Sequence, residues 1–383
     1  MTGHARHPYR WAVLAAGTGA QASFSAFLIA LPVLAPQLRS EYDLGLTQVG
    51  VVLSAQWIGA TVTLLPWGLL ADRIGERLVL SLGLASCSIL LAALAFAPSF
   101  AVLVPLLALA GAAGASVNSA SGRAVMQWFA ADERGLALGV RQTAIPIGGV
   151  TAALLLPHFG ARGAFLFLAA LCAAGALAGW VLIRERVRAG VERDAVPGTL
   201  RDARLWRLSL ATGLYLPAQF AITGFVVLFL HDERGLSDAA AAAVLAAIQV
   251  LAVGTRIGAG RWSDVLGTRL VPLRRIGVAI FATLALSAIL LPAPLVVLVP
   301  VFVAAGGVSM AWNGLSLTAA AELAGEARSG AAIGFQQTAL SVIGVGTPVA
   351  FAAAVAATSW RAGFAVAAVF PLLGLVALRS LDE

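Results

Sequence analysis

Three arginines stand inside long apolar runs of this sequence: Arg123 in the run 101–129, Arg141 in 135–157 and Arg256 in 238–263. An ionised group inside a membrane helix is costly to keep, and so marks a functional candidate. A guanidinium presents a planar fork of donors that meets carboxylate, phosphate or nitrate through two parallel hydrogen bonds. Matching acids are nearly absent. Away from their ends the runs hold no acidic residue, Glu322 standing at one end of its run, and the first run offers Gln21, Ser23 and Ser25 but no carboxylate. Buried cations without buried acids need their charge balanced from outside, and an anionic substrate would do that. Arg256 is the deepest; it precedes Asp264 in the following loop by eight residues, about 12 Å along a helix. Arg123 and Arg141 lie roughly two turns from the ends of their runs, close enough to snorkel or to pair with Asp132, Glu133 or Asp72 in a gate.

Neutral polar residues could complete a pocket around these charges. Asn118, Tyr215, Asn313, Gln336 and Gln337 are the main candidates, with Gln56, Trp57, Gln142, Gln219, Gln249 and Trp312 behind them. The competing role for each is to bond one helix to the next, the commoner use of polar side chains in membrane helices. His158 and His231 stand at the ends of runs, where solvation is the ordinary fate of a histidine.

These side chains need long helices to hold them. The chain is 60% hydrophobic and 11% charged, far from the quarter charged of a soluble domain. Its apolar runs reach the roughly 20 residues that cross a bilayer as a helix, not the short alternating segments of a β-barrel. Spans are expected at 11–36, 47–71, 76–97, 101–129, 135–157, 163–183, 206–230, 238–263, 274–292, 295–322, 330–356 and 361–379. All 25 basic residues are arginine. They crowd the loops on the side of segment 184–205; the opposite loops hold Arg39, Arg162, Arg234 and Arg361. This bias predicts both termini and that segment on the cytoplasmic side. The net charge of +7 sits in these loops, so it does not indicate nucleic-acid binding. Cys87 and Cys172 fall within apolar spans and read as small packing residues, not a disulfide or metal site.

The spans repeat. Gly68-Leu69-Leu70-Ala71-Asp72-Arg73-Ile74-Gly75-Glu76-Arg77 follows the second span, and Gly260-Arg261-Trp262-Ser263-Asp264-Val265-Leu266-Gly267-Thr268-Arg269 follows the eighth. Gly139-Val140-Arg141-Gln142-Thr143-Ala144 aligns with Gly334-Phe335-Gln336-Gln337-Thr338-Ala339 at an offset of 195, as do Asn118 with Asn313 and Trp11 with Trp206. Agreement at one offset predicts an all-α polytopic membrane protein of two pseudo-symmetric six-helix bundles. The bundles are expected at 1–183 and 206–383, joined by a charged linker at 184–205, with the ligand held between the halves.

Twelve spans, a 6+6 repeat, a basic central linker and the duplicated Gly-x-x-x-Asp-x-x-Gly-x-Arg loop resemble the major facilitator superfamily over the whole chain. The resemblance implies a secondary transporter in which spans 1, 4, 7 and 10 line a cavity and spans 2, 5, 8 and 11 flank it. It further implies that Asp72, Arg73, Arg77, Asp264 and Arg269 belong to loops that latch one side shut. The second copy departs from the first in carrying Val265 in place of Arg73. Gly122 to Phe129 followed by Glu133 to Gly139 resembles the span 4–5 signature of anion:cation symporters, which implies an organic-anion contact for Arg123. That signature's proline is replaced here by Ala130-Ala131. Arg256 ahead of Ser263-Asp264 resembles the span 8 arginine of monocarboxylate and oxalate transporters. Ala144-Ile145-Pro146-Ile147-Gly148-Gly149 only partly matches the Gly-Pro-rich motif of drug:proton antiporters, and a kink with close helix packing explains it as well.

The expectation is a multi-pass transporter of the cytoplasmic (inner) membrane. It moves a small organic anion, a carboxylate, by alternating access, with Arg256, Arg141 and Arg123 as charged contacts. Protons are a candidate coupling ion, and a monomer is expected. A proton-coupled drug or metabolite exporter is the first alternative, weakened by the missing carboxylate in span 1. A porter for nitrate, nitrite or cyanate is the second. No nucleotide loop, zinc spacing or catalytic triad is present, so neither an enzyme nor a cofactor or metal is expected.

Overall fold

A computed structural model describes residues 8–129, 137, 140–184, 202–324, 329–379 and 381, without the side chains of Asp72, Ser119, Arg123, Val125, Met126 and 329–331. Long runs of Ala, Leu and Val become helices because a chain in lipid must satisfy its backbone polar groups within each segment. In order these are α1 (Arg10–Glu41), α2 (Leu46–Ile74), α3 (Glu76–Leu94), α4 (Phe100–Gly114) and α5 (Ser116–Trp128). Then follow α6 (Ala144–Leu155), α7 (Ala161–Leu182), α8 (Ala203–Gly213), α9 (Leu216–Asp232) and α10 (Asp238–Leu266). The last are α11 (Leu270–Ile289), α12 (Leu295–Ser309), α13 (Trp312–Ala324), α14 (Ser329–Ala357) and α15 (Trp360–Arg379). The pairs α4/α5, α8/α9 and α12/α13 each make one interrupted span. Among the described residues, 11 helices are long and apolar enough to cross a membrane. The expected span 135–157 is represented by α6; most of its first turns, like most of the linker 184–205, lie outside the described residues.

Helix ends follow local chemistry. Ser237 caps α10, its hydroxyl accepting from the Ala240 N–H at 3.3 Å. Gly267 ends the same helix in the left-handed conformation, φ 68°, which glycine adopts without a Cβ penalty.

The repeat is visible in the packing. Pro105 in α4 and Pro300 in α12 are 195 apart, as are the interruptions at Ala115 and Met310. Thr63 Oγ1 donates to Ala112 O at 2.8 Å, and Thr255 Oγ1 donates to Gly307 O at 2.7 Å. In both copies a threonine of the span before the duplicated loop is therefore bonded to the interrupted span. Glycine permits the same approach twice. A Cβ on Gly111 would lie 2.1 Å from Gln56 O, and one on Gly306 would lie 2.5 Å from Ile248 Cγ2. The segment around Gly148 packs as closely, since a Cβ there would lie 2.4 Å from Ala22 O.

Large apolar side chains are left exposed along the helices, among them Leu65 at 71% and Val296 at 80%. Bilayer-facing residues have this character, whereas water-facing surfaces avoid such continuous apolar area. By its contacts the chain forms two compact units, Met1–Leu34 with Ala55–Glu192 and Ala35–Ser54 with Arg193–Glu383. The tip of the α1–α2 hairpin thus groups with the second unit. Gln37 Nε2 donates to Asp238 Oδ2 at 2.9 Å, Arg39 pairs with Asp232, and Gly50 abuts Pro348 and Ala352.

Candidate functional site

In the second unit the inward stripe of α10 runs Leu245, Gln249, Ala252, Arg256, Ala259, Ser263, at alternating steps of four and three. Every member is buried except Arg256, which is half-buried. The interruption between α12 and α13 presents the Met310 carbonyl to side chains. It accepts from Arg256 Nε at 3.2 Å and from Asn313 Nδ2 at 3.2 Å. Asn313 Nδ2 also approaches Gln219 Oε1 of α9 at 3.5 Å, a weak contact. Among the described residues, neither Nη group of Arg256 has a hydrogen-bond or ion-pair partner. Two interior polar side chains thus converge on one carbonyl and a third, Gln219, meets Asn313, with no carboxylate among them. The first copy differs, because the Ala115 carbonyl is occupied by the backbone N–H of Asn118 at 3.1 Å.

In the first unit Arg141 is buried and bonded on one side to neutral acceptors. Its Nε donates to Ser121 Oγ at 2.8 Å, and its Nη2 donates to Gln21 Oε1 at 2.9 Å and to Asn118 O at 3.1 Å. This arrangement ties α1, α5 and the start of the fifth span together. Among the described residues Nη1 makes no hydrogen bond. Asn118 contributes its backbone carbonyl to the arrangement. The side chain of Arg123 lies outside the described residues.

Three candidates from the sequence have other placements. Gln336 is fully buried and its amide is fully engaged. It donates to Thr212 Oγ1 at 3.1 Å and Ser316 Oγ at 2.9 Å, and accepts from Ser209 Oγ at 3.1 Å. It is an inter-helix bond, not a free ligand group. Tyr215 is also fully buried, with its hydroxyl donating to Leu273 O at 3.0 Å and its ring packed edge-on against Trp312. It fills the space over Gly277 and Gly374 and has no hydroxyl to spare. Gln337 is exposed on α14, away from both arginine clusters' hydrogen bonds. The partners that sequence reasoning passed over are Ser121, Ser316 and the Met310 carbonyl. The serines were findable, since they too are 195 apart; a backbone carbonyl leaves no such trace.

The duplicated loops are tied to the interrupted spans. Arg269 Nη1 donates to Asp264 Oδ1 at 2.5 Å and Ser263 Oγ at 2.8 Å, while its Nε donates to Glu322 Oε1 at 3.1 Å on α13. The Asp264 bond is the chief cause that raises the Arg269 pKa above the ordinary arginine value. In the first copy Gln127, at the position equivalent to Glu322, donates to Glu76 Oε1 at 2.6 Å. Arg77 stacks over Trp180 at 4.2 Å, and Arg73 is exposed. The side chain of Asp72 lies outside the described residues.

Comparison with known proteins accords with this architecture. An uncharacterized MFS-type transporter of Mycobacterium tuberculosis is 33% identical over 371 residues, covering 95% of this chain and 83% of the relative. A hexuronate transporter of Bacillus subtilis is 23% identical over 226 residues, covering 54% of this chain and 53% of its own. A bacterial homolog of the human lysosomal transporter Spinster, solved in an inward-facing and occupied conformation, superposes with a TM-score of 0.86 at 18% identity. That match covers 97% of this chain and 96% of the other, and speaks to the fold. The profile of the Major Facilitator Superfamily matches residues 13–348. With a duplicated loop, two sets of interrupted spans at one offset and these relatives, the chain belongs to the major facilitator superfamily and is a transporter, not an enzyme.

Proposed function

We propose that this transporter moves a small organic anion, a carboxylate, across the inner membrane by alternating access, with Arg256 as its principal charged contact. One observation carries the reading. Arg256 is braced through Nε by a neutral carbonyl, while both Nη groups stay without partners among the described residues. A guanidinium so held keeps its fork for a planar anion and keeps a charge that no neighbouring acid cancels. Arg141, held by Ser121, Gln21 and the Asn118 carbonyl, is a second uncompensated cation and joins the proposal, as does Arg123. The kinship with a hexuronate transporter supports an organic acid over an inorganic one. Asp72, Arg73, Arg77, Asp264 and Arg269 are proposed as gate residues, with both chain termini and the linker on the cytoplasmic side. Protons are the proposed coupling ion and a monomer the proposed state.

The test is thermal denaturation of the purified chain with carboxylates, nitrate and a cationic drug, since a ligand stabilises the state that binds it by mass action. Carboxylates should raise the unfolding temperature in a concentration-dependent way and cationic drugs should not. Stabilisation by the drug alone would replace this reading with the exporter.

A further inference from the structure

We infer that the second unit carries a hydroxyl-recognition subsite beside the Arg256 fork, made by Gln219 and Asn313, so that the substrate is a small hydroxy carboxylate. The inference rests on the carboxylate reading above and narrows it. It begins with the orientation of the Asn313 amide. A carbonyl oxygen only accepts, so the group of Asn313 that faces Met310 O at 3.2 Å must be the NH2, and Oδ1 points elsewhere. That oxygen has no donor among the described residues. Gln219 turns Oε1 toward the same NH2 at 3.5 Å, which leaves its own Nε2 undirected. Nε2 likewise has no acceptor among the described residues. Both side chains are half-buried, and neither is closed off inside the unit.

One spare donor and one spare acceptor, held by two amides in contact, match a hydroxyl group, which accepts one hydrogen bond and donates another. The ligand hydroxyl would accept from Gln219 Nε2 and donate to Asn313 Oδ1. Position favours a hydroxyl close to the acid. Arg256 Nε and Asn313 Nδ2 share the Met310 oxygen at 3.2 Å each, so the two nitrogens lie at most 6.4 Å apart. A carboxylate on the fork and a hydroxyl on the amides then belong to one small hydroxy acid. The amides are neutral, so they add selectivity without cancelling the arginine charge. A site with spare polar groups rejects the analogue that lacks their partner, because those groups are then desolvated unpaired.

The experiment is calorimetric binding to the purified full-length chain, with matched acids that differ by one hydroxyl: lactate against propionate, and 3-hydroxybutyrate against butyrate. Each hydroxy acid should bind on the order of ten-fold more tightly than its partner. Gln219→Met should bring that ratio to about one, since the sulfur chain fills the space without a donor. Equal affinities in the wild type, which need no variant, would overturn the hydroxyl subsite while leaving the carboxylate reading in place. A ratio that persists in well-folded Gln219→Met would overturn the assignment to Gln219. Absence of binding by all four acids would overturn both readings together.

Discussion

Arg141 donates its Nε–H to Ser121 Oγ at 2.8 Å across 20 residues of sequence, and the second unit repeats the relationship with glutamine, Gln336 Nε2 reaching Ser316 Oγ at 2.9 Å across the same separation. The two halves share a socket, and only the first fills it with a charge. Arg141→Gln should therefore fold, because the other half demonstrates that an amide fits. Arg141→Leu leaves Gln21 and Ser121 without their donor and should lose about 1–3 kcal/mol per buried group left unpaired. Thermal unfolding of the two variants in detergent checks the order. A leucine variant as stable as the glutamine variant would show that the socket contributes nothing.

Arg256→Ala should weaken carboxylate binding by roughly 10- to 150-fold, the equivalent of the 1.5–3 kcal/mol of a hydrogen bond to a charged group. Arg256→Lys should recover only part of this, because an ammonium keeps the charge but lacks the fork. Affinities measured on chromatographically monodisperse protein decide the matter. An alanine variant with wild-type affinity would remove the anion site from α10.

The close approaches of the interrupted spans make a different kind of prediction. Gly111→Val should sharply reduce the yield of folded protein, because even its Cβ would stand 2.1 Å from the Gln56 carbonyl oxygen, a backbone atom that cannot rotate away. Gly314→Ala in α13 is the control. Nothing lies within 4 Å of its Cβ position, and alanine is the better helix former by about 1 kcal/mol. Yield and unfolding temperature should separate the two by direction as well as size.

Asp72→Asn should impair transport while leaving membrane insertion intact, because the duplicated loop is proposed as a gate and not as packing. Glu322→Gln, which breaks a pairing with Arg269 in which the Glu322 side chain is 53% exposed, should change stability by no more than about 1 kcal/mol. Uptake into vesicles and unfolding of the same preparations measure both. Wild-type turnover by Asp72→Asn would count against the gate.

Fold and repeat were legible from the sequence because hydrophobic run length and a fixed offset are one-dimensional quantities. The equivalence of Ser121 with Ser316 lies in that same register, and that of Thr63 with Thr255 in the 192-residue spacing of the duplicated loops. The charged candidates were legible for a related reason, since an arginine in an apolar run needs no third dimension to stand out. What stayed hidden is which polar groups are already spent. Gln336 and Gln337 are neighbours in sequence, yet one is enclosed by Thr212, Ser316 and Ser209 and the other is exposed. Tyr215 resembled a pocket residue until its hydroxyl was seen to bond Leu273. Saturation of donors and acceptors depends on which helix face meets which neighbour, and composition does not carry that.

The group that braces Arg256 belongs to the backbone of Met310, and so is present whatever side chain stands at that position. Mutation can erase a partner residue in one step, but it removes a carbonyl only by rerouting the chain. The charge is thereby inherited with the path of the helix, while Asn313 and Gln219 remain free to vary. A lineage built on this scaffold can exchange the neighbouring amides, and with them the cargo, through intermediates that still grip an anion.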